Sequence, residues 1–204
     1  MEHVLYGEPD LYERLGGLLF RLTAGSFFQV NTRMADRLYA LVAEAASPEP
    51  SDVVLDLFCG AGTIGLTLAS RCKSLYGYEL SEEAVGNARA NAALNRVANA
   101  TFVQGDLSLA KLRLEASGMP SPDVVVTDPN RPGMSPKLVA WLNDCGARRI
   151  AYVSCNPATM ARDMRALCNA EGGGKYALRW VRPVDMFPQT GHVEVVGLLE
   201  LQLL

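Results

Sequence analysis

Two residues in the second half of the chain have types and settings suited to covalent chemistry. Cys155 lies in YVSCNPATMARD (152–163), where an apolar run meets Asn156 and Pro157. Asn is a favoured helix N-cap and Pro a favoured first helical residue, so the thiol stands at a helix mouth. Backbone N–H groups there favour thiolate over thiol, which predicts a nucleophile. Cys59, Cys72, Cys145 and Cys168 lack this setting: Cys59 sits in a glycine turn, and the others fall in or near helical patterns as packing residues. Glu194 lies in TGHVEVV, on an otherwise apolar strand pattern. A carboxylate against apolar surface has a raised pKa, as a general base working near neutrality needs. Strand alternation sets His192 on the same side, as an orienting partner, a substrate contact or the base itself.

A third setting is DLFCGAGTIG, with Gly60, Gly62 and Gly65 between an apolar run and a helical pattern. Glycines after a strand let a ligand approach bare backbone, and the spacing matches a dinucleotide fingerprint. Glu79 closes the next apolar run, where a carboxylate can accept both hydroxyls of a ribose. NAD and S-adenosylmethionine both carry that ribose. Three features favour S-adenosylmethionine. Asp56 precedes the glycines and is placed to hold the cationic amino-acid end; Asp106, in VQGD, is placed to meet the adenine amino group. The chain also closes on two strand-like runs with no helix between them, a hairpin that dinucleotide sheets usually lack. In VVTDPNRPGM, Asp128 stands at a strand's carboxyl end, where open α/β sheets bind ligands. Asn130 and Arg131 follow, with donors suited to a base edge or a phosphate.

A thiolate beside a methyl donor points to one chemistry. Carbon 5 of a pyrimidine is too weak a nucleophile to take a methyl group unaided, and thiolate addition to carbon 6 makes it enolate-like. The methylated carbon still carries its proton, so a base must remove it before the thiolate leaves. Cys155 and Glu194 are the pair that such a reaction requires.

The surrounding patterns must bring these residues together. From residue 51 onward, apolar strands at 53–58, 74–80, 100–106, 122–128 and 148–154 alternate with helical runs beginning near residues 61, 81, 135 and 156. Continuous apolar strands interleaved with helices predict an α/β, Rossmann-like fold: a mostly parallel sheet with helices on both faces. The runs YALRWVRPVDMFPQT and GHVEVVGLLELQLL predict a C-terminal antiparallel hairpin at the sheet edge. Ahead of the helical run at 32–46, LYERLGGLLFRL predicts a small β-hairpin turning at Gly-Gly.

The 204 residues are 49% hydrophobic and 20% charged, enough for one globular domain with a real core. No apolar run is long enough to span a bilayer, and the five cysteines show no CxxC pair, so neither a zinc site nor a disulfide framework is expected. Reduced thiols indicate an intracellular protein, cytoplasmic or organellar. A net charge of −3 argues against strong general affinity for phosphate backbones.

Taken together, FFQVN, LDLFCGAGTIGL, GYELSEEAV, the Asp-Pro loop, SCNPATMARD and MFPQTGHVEVV resemble the S-adenosylmethionine-dependent RNA uracil-5-methyltransferases, which act on tRNA or ribosomal RNA. The resemblance implies that Cys155 attacks carbon 6 and Glu194 deprotonates carbon 5. It implies cofactor contacts for Gln29, Phe58, Glu79 and Asp128. It makes residues 31–204 the methyltransferase domain and 1–30 a hairpin left from an upstream region. Members usually carry an RNA-binding β-barrel upstream, so the grip on RNA is expected from a domain outside this chain. The fourth-strand loop departs from the usual Asp-Pro-Pro-Arg, with Asn130 in place of the second proline. RNA cytosine-5 enzymes usually carry a second cysteine in that loop, and none stands here. The other readings are a cofactor-binding module without activity of its own and an NAD-dependent oxidoreductase. The oxidoreductase would leave Cys155 and Glu194 without a task.

Overall fold

A computed structural model describes residues 6–107 and 118–202. Five parallel strands form most of the main sheet: β3 (Val53–Leu57), β4 (Ser74–Glu79), β5 (Ala100–Gln104), β6 (Val124–Thr127) and β7 (Arg149–Ser154). The hairpin β8 (Tyr176–Val184) and β9 (Glu194–Leu201) completes seven strands in the order β5-β4-β3-β6-β7-β9-β8. β9 runs antiparallel to both β7 and β8. The expected sheet and terminal hairpin are therefore present. Every residue of β3 and β6 is buried, as a strand covered on both faces requires.

Alternation sorts the strands between two cores. Val54, Val126, Ala151, Val153, Val196 and Leu198 face α1 (Thr32–Ala46), α2 (Thr63–Leu68) and α3 (Glu82–Leu94). Leu55, Leu57, Val125, Ile150, Tyr152 and Leu199 face α4 (Pro136–Asp144) and α5 (Pro157–Cys168). The strand order reverses between β3 and β6, so a cleft opens at the carboxyl ends of those strands.

Local differences from the expected elements have clear causes. The helix after the glycine loop is short: α2 stops at Leu68 and a 3-10 turn covers Ala69–Arg71. α5 ends at Cys168, before the glycine run, where the Asn169 carbonyl accepts from Gly172 and Gly174 N–H. β9 begins only at Glu194, so His192 lies ahead of the strand.

The hairpin of β1 (Leu11–Leu15) and β2 (Leu18–Leu22) turns at Gly16-Gly17, both at positive φ, and forms a separate two-stranded sheet. The free edge of β2 is met by side chains rather than by a strand. Asn95 accepts from Leu19 N–H at 2.9 Å and donates to Leu19 C=O at 2.7 Å. Asn91, one turn back on α3, accepts from Arg21 N–H at 2.8 Å and donates to Ala61 C=O of the glycine loop at 3.1 Å. Asn87, a further turn back, donates to Thr23 and Ser26 hydroxyls at 3.0 Å each. This stripe of asparagines fastens residues 19–26 to the main domain. Asn91→Ala leaves a backbone donor and a backbone acceptor without partners. It is expected to cost roughly 2–4 kcal/mol, read as a lower urea midpoint with an unchanged denaturant slope.

Candidate active site

A cavity of about 680 Å³ opens at the carboxyl ends of the parallel strands, within the usual size of a small-molecule site. Gln29, Phe58, Gly60, Glu79, Asp106, Asp128, Asn130, Arg131, Cys155 and Glu194 all line it. A smaller cavity of about 50 Å³ shares Gln29, Phe58, Gly60 and Asp128 and adds Asp56. Two residues expected at the site line neither. Gly62 is buried at the start of α2 with φ +80, where a Cβ would press on Phe102 and Ala88, so it serves the turn. His192 is exposed, its ring edge-on to Phe187 at 6.4 Å between centroids. The period-two argument that paired it with Glu194 does not reach it, because the strand starts two residues later.

The Cys155–Glu194 relation is set by sheet register. In the β7–β9 ladder Val153 pairs with Val196 and Ser154 with Val195. The ladder ends at that pair: Cys155 follows it directly on the β7 side, Glu194 opens β9 on the other, and both line the cavity. Ser154 Oγ accepts from Asn156 N–H at 3.0 Å, and Asn156 caps α5 by accepting from Ala158 N–H at 3.2 Å, with Pro157 first in the helix. The helix-mouth setting of Cys155 is thus as read from the sequence.

Its ionisation is not. Burial, then Glu194 and Asp128, push the Cys155 thiol above its ordinary value, against the pull of Arg131. The helix mouth alone therefore does not outweigh burial and the two acids, which the sequence does not reveal beside the sulfur. Glu194 is buried at 6% exposure, and burial raises its carboxyl while Arg131 opposes the rise. It faces inward on an interior strand rather than water at a sheet edge. Asp128 is raised to about 7 by burial and by Glu194.

On the opposite side, Glu79 closes the glycine loop. Its carboxylate accepts from Gly60 N–H at 3.2 Å and from Ser81 N–H at 2.9 Å. Asp56 accepts from Gly65 N–H at 2.9 Å through Oδ2, while its buried Oδ1 has no hydrogen-bond partner among the described residues. Burial raises Asp56 to about 8, with Asp128 and Glu79 adding to the rise and the Gly65 bond opposing it. Phe58 holds φ +62, a left-handed conformation that costs a bulky residue about 1–3 kcal/mol and clusters at functional sites. An orphaned carboxylate oxygen behind bare glycine backbone fits a ligand that carries a cation.

The strap before α1 also contributes residues that sequence reading passed over. Phe27, 76% exposed, lines the large cavity beside Gln29. Phe28 turns inward against Phe20, ring centroids 6.3 Å apart. The Phe-Phe-Gln alternation was the available signal: one half-buried aromatic packed on the core, its neighbours on either side presented to the large cavity. Among the described residues there is no group of three or more metal-capable side chains, and no helix is long and apolar enough to cross a membrane.

This sheet with its terminal hairpin and its acid-lined cleft defines a Rossmann-like methyltransferase. The chain belongs to the tRNA (Uracil-5-)-methyltransferase family, whose model matches residues 14–202. It is 46% identical over 197 residues to an uncharacterized RNA methyltransferase of Caldanaerobacter subterraneus, covering 97% of this chain and 42% of that protein. A second, from Chlorobaculum tepidum, is 44% identical, covering 98% and 41%. The chain spans less than half the length of these relatives. Among solved structures, the Pyrococcus abyssi tRNA (uracil-54, C5)-methyltransferase in complex with S-adenosyl-L-homocysteine superposes with a TM-score of 0.80 at 34% identity, covering 95% of this chain and 45% of that one.

The raised acids carry a stability signature. Asp56 titrates from 3.8 in the unfolded chain to about 8 in the fold, so the fold binds more protons across that window. Stability therefore falls as pH rises through it. The urea midpoint is expected to drop between pH about 5 and about 8. Asp56→Asn, which keeps an acceptor for Gly65 N–H, is expected to flatten that dependence.

Proposed function

We propose that this chain is the catalytic domain of an RNA methyltransferase that transfers a methyl group from S-adenosylmethionine to carbon 5 of a uridine, in tRNA or ribosomal RNA. The observation that carries this reading is that Cys155, just past the end of β7, and Glu194, at the start of the neighbouring β9, line one cavity with Asp128 and Arg131. Family membership and the homocysteine-bound relative support the cofactor. Asp56 Oδ1, buried without a partner, fits its cationic end, together with Gln29 and Asp128. Glu79 would hold the ribose hydroxyls and Asp106 the adenine amino group, with Phe58 beside the cofactor; all three line the cavity. When bound, the cofactor supplies an electrophilic methyl group.

The residues of the chain do the rest. The Cys155 thiolate adds to carbon 6, and the electron pair moves to carbon 5, which takes the methyl group. Glu194 removes the remaining proton from carbon 5. The pair returns to form the carbon 5–carbon 6 double bond, and Cys155 leaves as thiolate. Arg131, positive beside two acids, favours both anionic forms. Asn130 and Arg131 also face the base and its phosphate. RNA-modifying work sets the protein inside the cell, and the remaining length of the relatives is the natural source of further grip on RNA.

Transfer of labelled methyl from S-adenosylmethionine into bulk tRNA or ribosomal RNA, followed by nucleoside analysis, tests the reading. The expected product is 5-methyluridine. Cys155→Ala is expected to abolish both turnover and adduct. Glu194→Gln is expected to slow release by roughly a hundredfold or more, with a denaturation-resistant RNA–protein complex accumulating. Methylation by Cys155→Ala would remove the covalent mechanism. Cofactor binding by calorimetry without methyl transfer to any RNA would make this chain a binding module only.

A further inference from the structure

The loop that carries Asp128, Asn130 and Arg131 has one backbone turn of its own, Gly133 N–H to Asn130 C=O at 2.8 Å. The carbonyls of Arg131, Pro132 and Met134 and the N–H of Met134 are held by side chains of the segment that follows Cys155. Asn156 Nδ2 and Thr159 Oγ1 each donate to Arg131 C=O at 3.1 Å. Arg162 Nη2 donates to Pro132 C=O at 2.9 Å and to Met134 C=O at 3.2 Å. Asp163, only 2% exposed, is the centre of this clasp. Its Oδ2 accepts from Met134 N–H at 2.8 Å and from Tyr152 O–H at 2.7 Å. Its Oδ1 accepts from Arg162 Nε at 2.9 Å and Nη2 at 2.7 Å.

A carboxylate buried beneath a sheet edge is unfavourable unless fully bonded, and this one is bonded to three separate elements. Gly133 fits the same clasp: at φ +78, a Cβ there would come within 2.6 Å of Asp163 Oδ2. The result is one rigid body containing the strand end with Cys155 and the loop with Arg131. Arg131 makes no ion pair among the described residues, so its charge remains directed at the cavity it lines.

We propose that Asp163 is a positioning residue: through Arg162 and the Met134 peptide it fixes the loop so that Arg131 stands against Cys155 and Glu194 and stabilises the thiolate. The assignment rests on Cys155 as the nucleophile. It concerns how that thiol is ionised rather than what it attacks. The charged groups facing Cys155 are Glu194 from β9 and Asp128 and Arg131 from the loop, and of these only Arg131 favours the anion.

The test is the pH dependence of Cys155 alkylation by iodoacetamide in the whole chain, read by peptide mass spectrometry so that the other thiols do not interfere. Arg131→Met is expected to raise the alkylation midpoint and slow the reaction near neutral pH by roughly threefold to tenfold. Asp163→Asn is expected to do the same, and the double variant to add little, because both act through one charge. Should Asp163→Asn fail to fold, Arg162→Gln carries the test, since that side chain is 57% exposed. It is expected to shift the midpoint in the same direction. An Asp163→Asn or Arg162→Gln protein with lowered melting temperature but an unmoved midpoint would overturn the proposal. Variants that show the shift pattern, in a chain whose wild-type form methylates no RNA, would instead count against the function proposed above.

Discussion

The antiparallel ladder between β7 and β9 is the constraint on which the rest of this site depends. β9 is inserted between β7 and β8, and its first six residues are buried. Register in such a strand is enforced by packing, because a slip of one residue would turn every side chain to the other face. Val195 and Leu199 would leave the core under α4 and α5, and Val196 and Leu198 would leave the core under α1 to α3. Gly197 adds a further lock, since Met160 and Met164 pack where its Cβ would stand. Hydrophobic burial over the whole strand thus fixes the position of one carboxylate, Glu194, at the cavity that Cys155 also lines. Two residues far apart in the chain reach one cavity without any contact between them having to stabilise the fold.

The second constraint is charge. Asp56, Glu79, Asp128 and Glu194 come from four different strands or strand ends and converge on adjoining cavities. Topology forces the convergence, because parallel strands deliver their carboxyl ends, and antiparallel β9 its amino end, to one side of the sheet. Each acid adds to the unfavourable burial of another: Asp128 and Glu79 raise Asp56, and Glu194 raises Asp128. Such a cluster is destabilising by itself and complementary to a bound cation. It belongs with the features that a fold tolerates for function rather than for stability.

Much of this was legible in the sequence because it is local or periodic. Buried parallel strands announce themselves as continuous apolar runs, and Asn156-Pro157 announces a helix start. Glu194 was conspicuous as an acid at the start of an apolar run. What escaped depends on tertiary neighbours. The ionisation of Cys155 depends first on its burial and then on Glu194 and Asp128, which no local pattern places beside it. The exposed setting of His192 follows from where β9 begins, and strand ends are the least determined part of a periodic pattern. Asn87, Asn91 and Asn95 read as ordinary polar helix positions, and only the free edge of β2 gives them partners. Asp163 was in view throughout, at the end of the same stretch as Cys155. Its task became visible only when the Asp-Pro loop was seen folded over it.

The raised thiol and the acidic cavity have a common consequence. The same two carboxylates that disfavour the Cys155 anion favour a positive charge in the cavity. Linkage makes such effects reciprocal: a cation that gains from Asp128 and Glu194 also offsets their repulsion of the thiolate. On the proposed reading, the cofactor enters carrying a positive sulfonium and leaves without it. The nucleophile is then most readily ionised while a methyl group is available, and least so after transfer. Arg131 contributes a fixed part of that stabilisation and the cofactor a variable part. A thiol that was fully ionised by its helix alone would lack this dependence and would stay open to alkylation and oxidation in the empty protein. The modest acidity of Cys155 therefore suits an enzyme whose nucleophile is needed only when both substrates are in place.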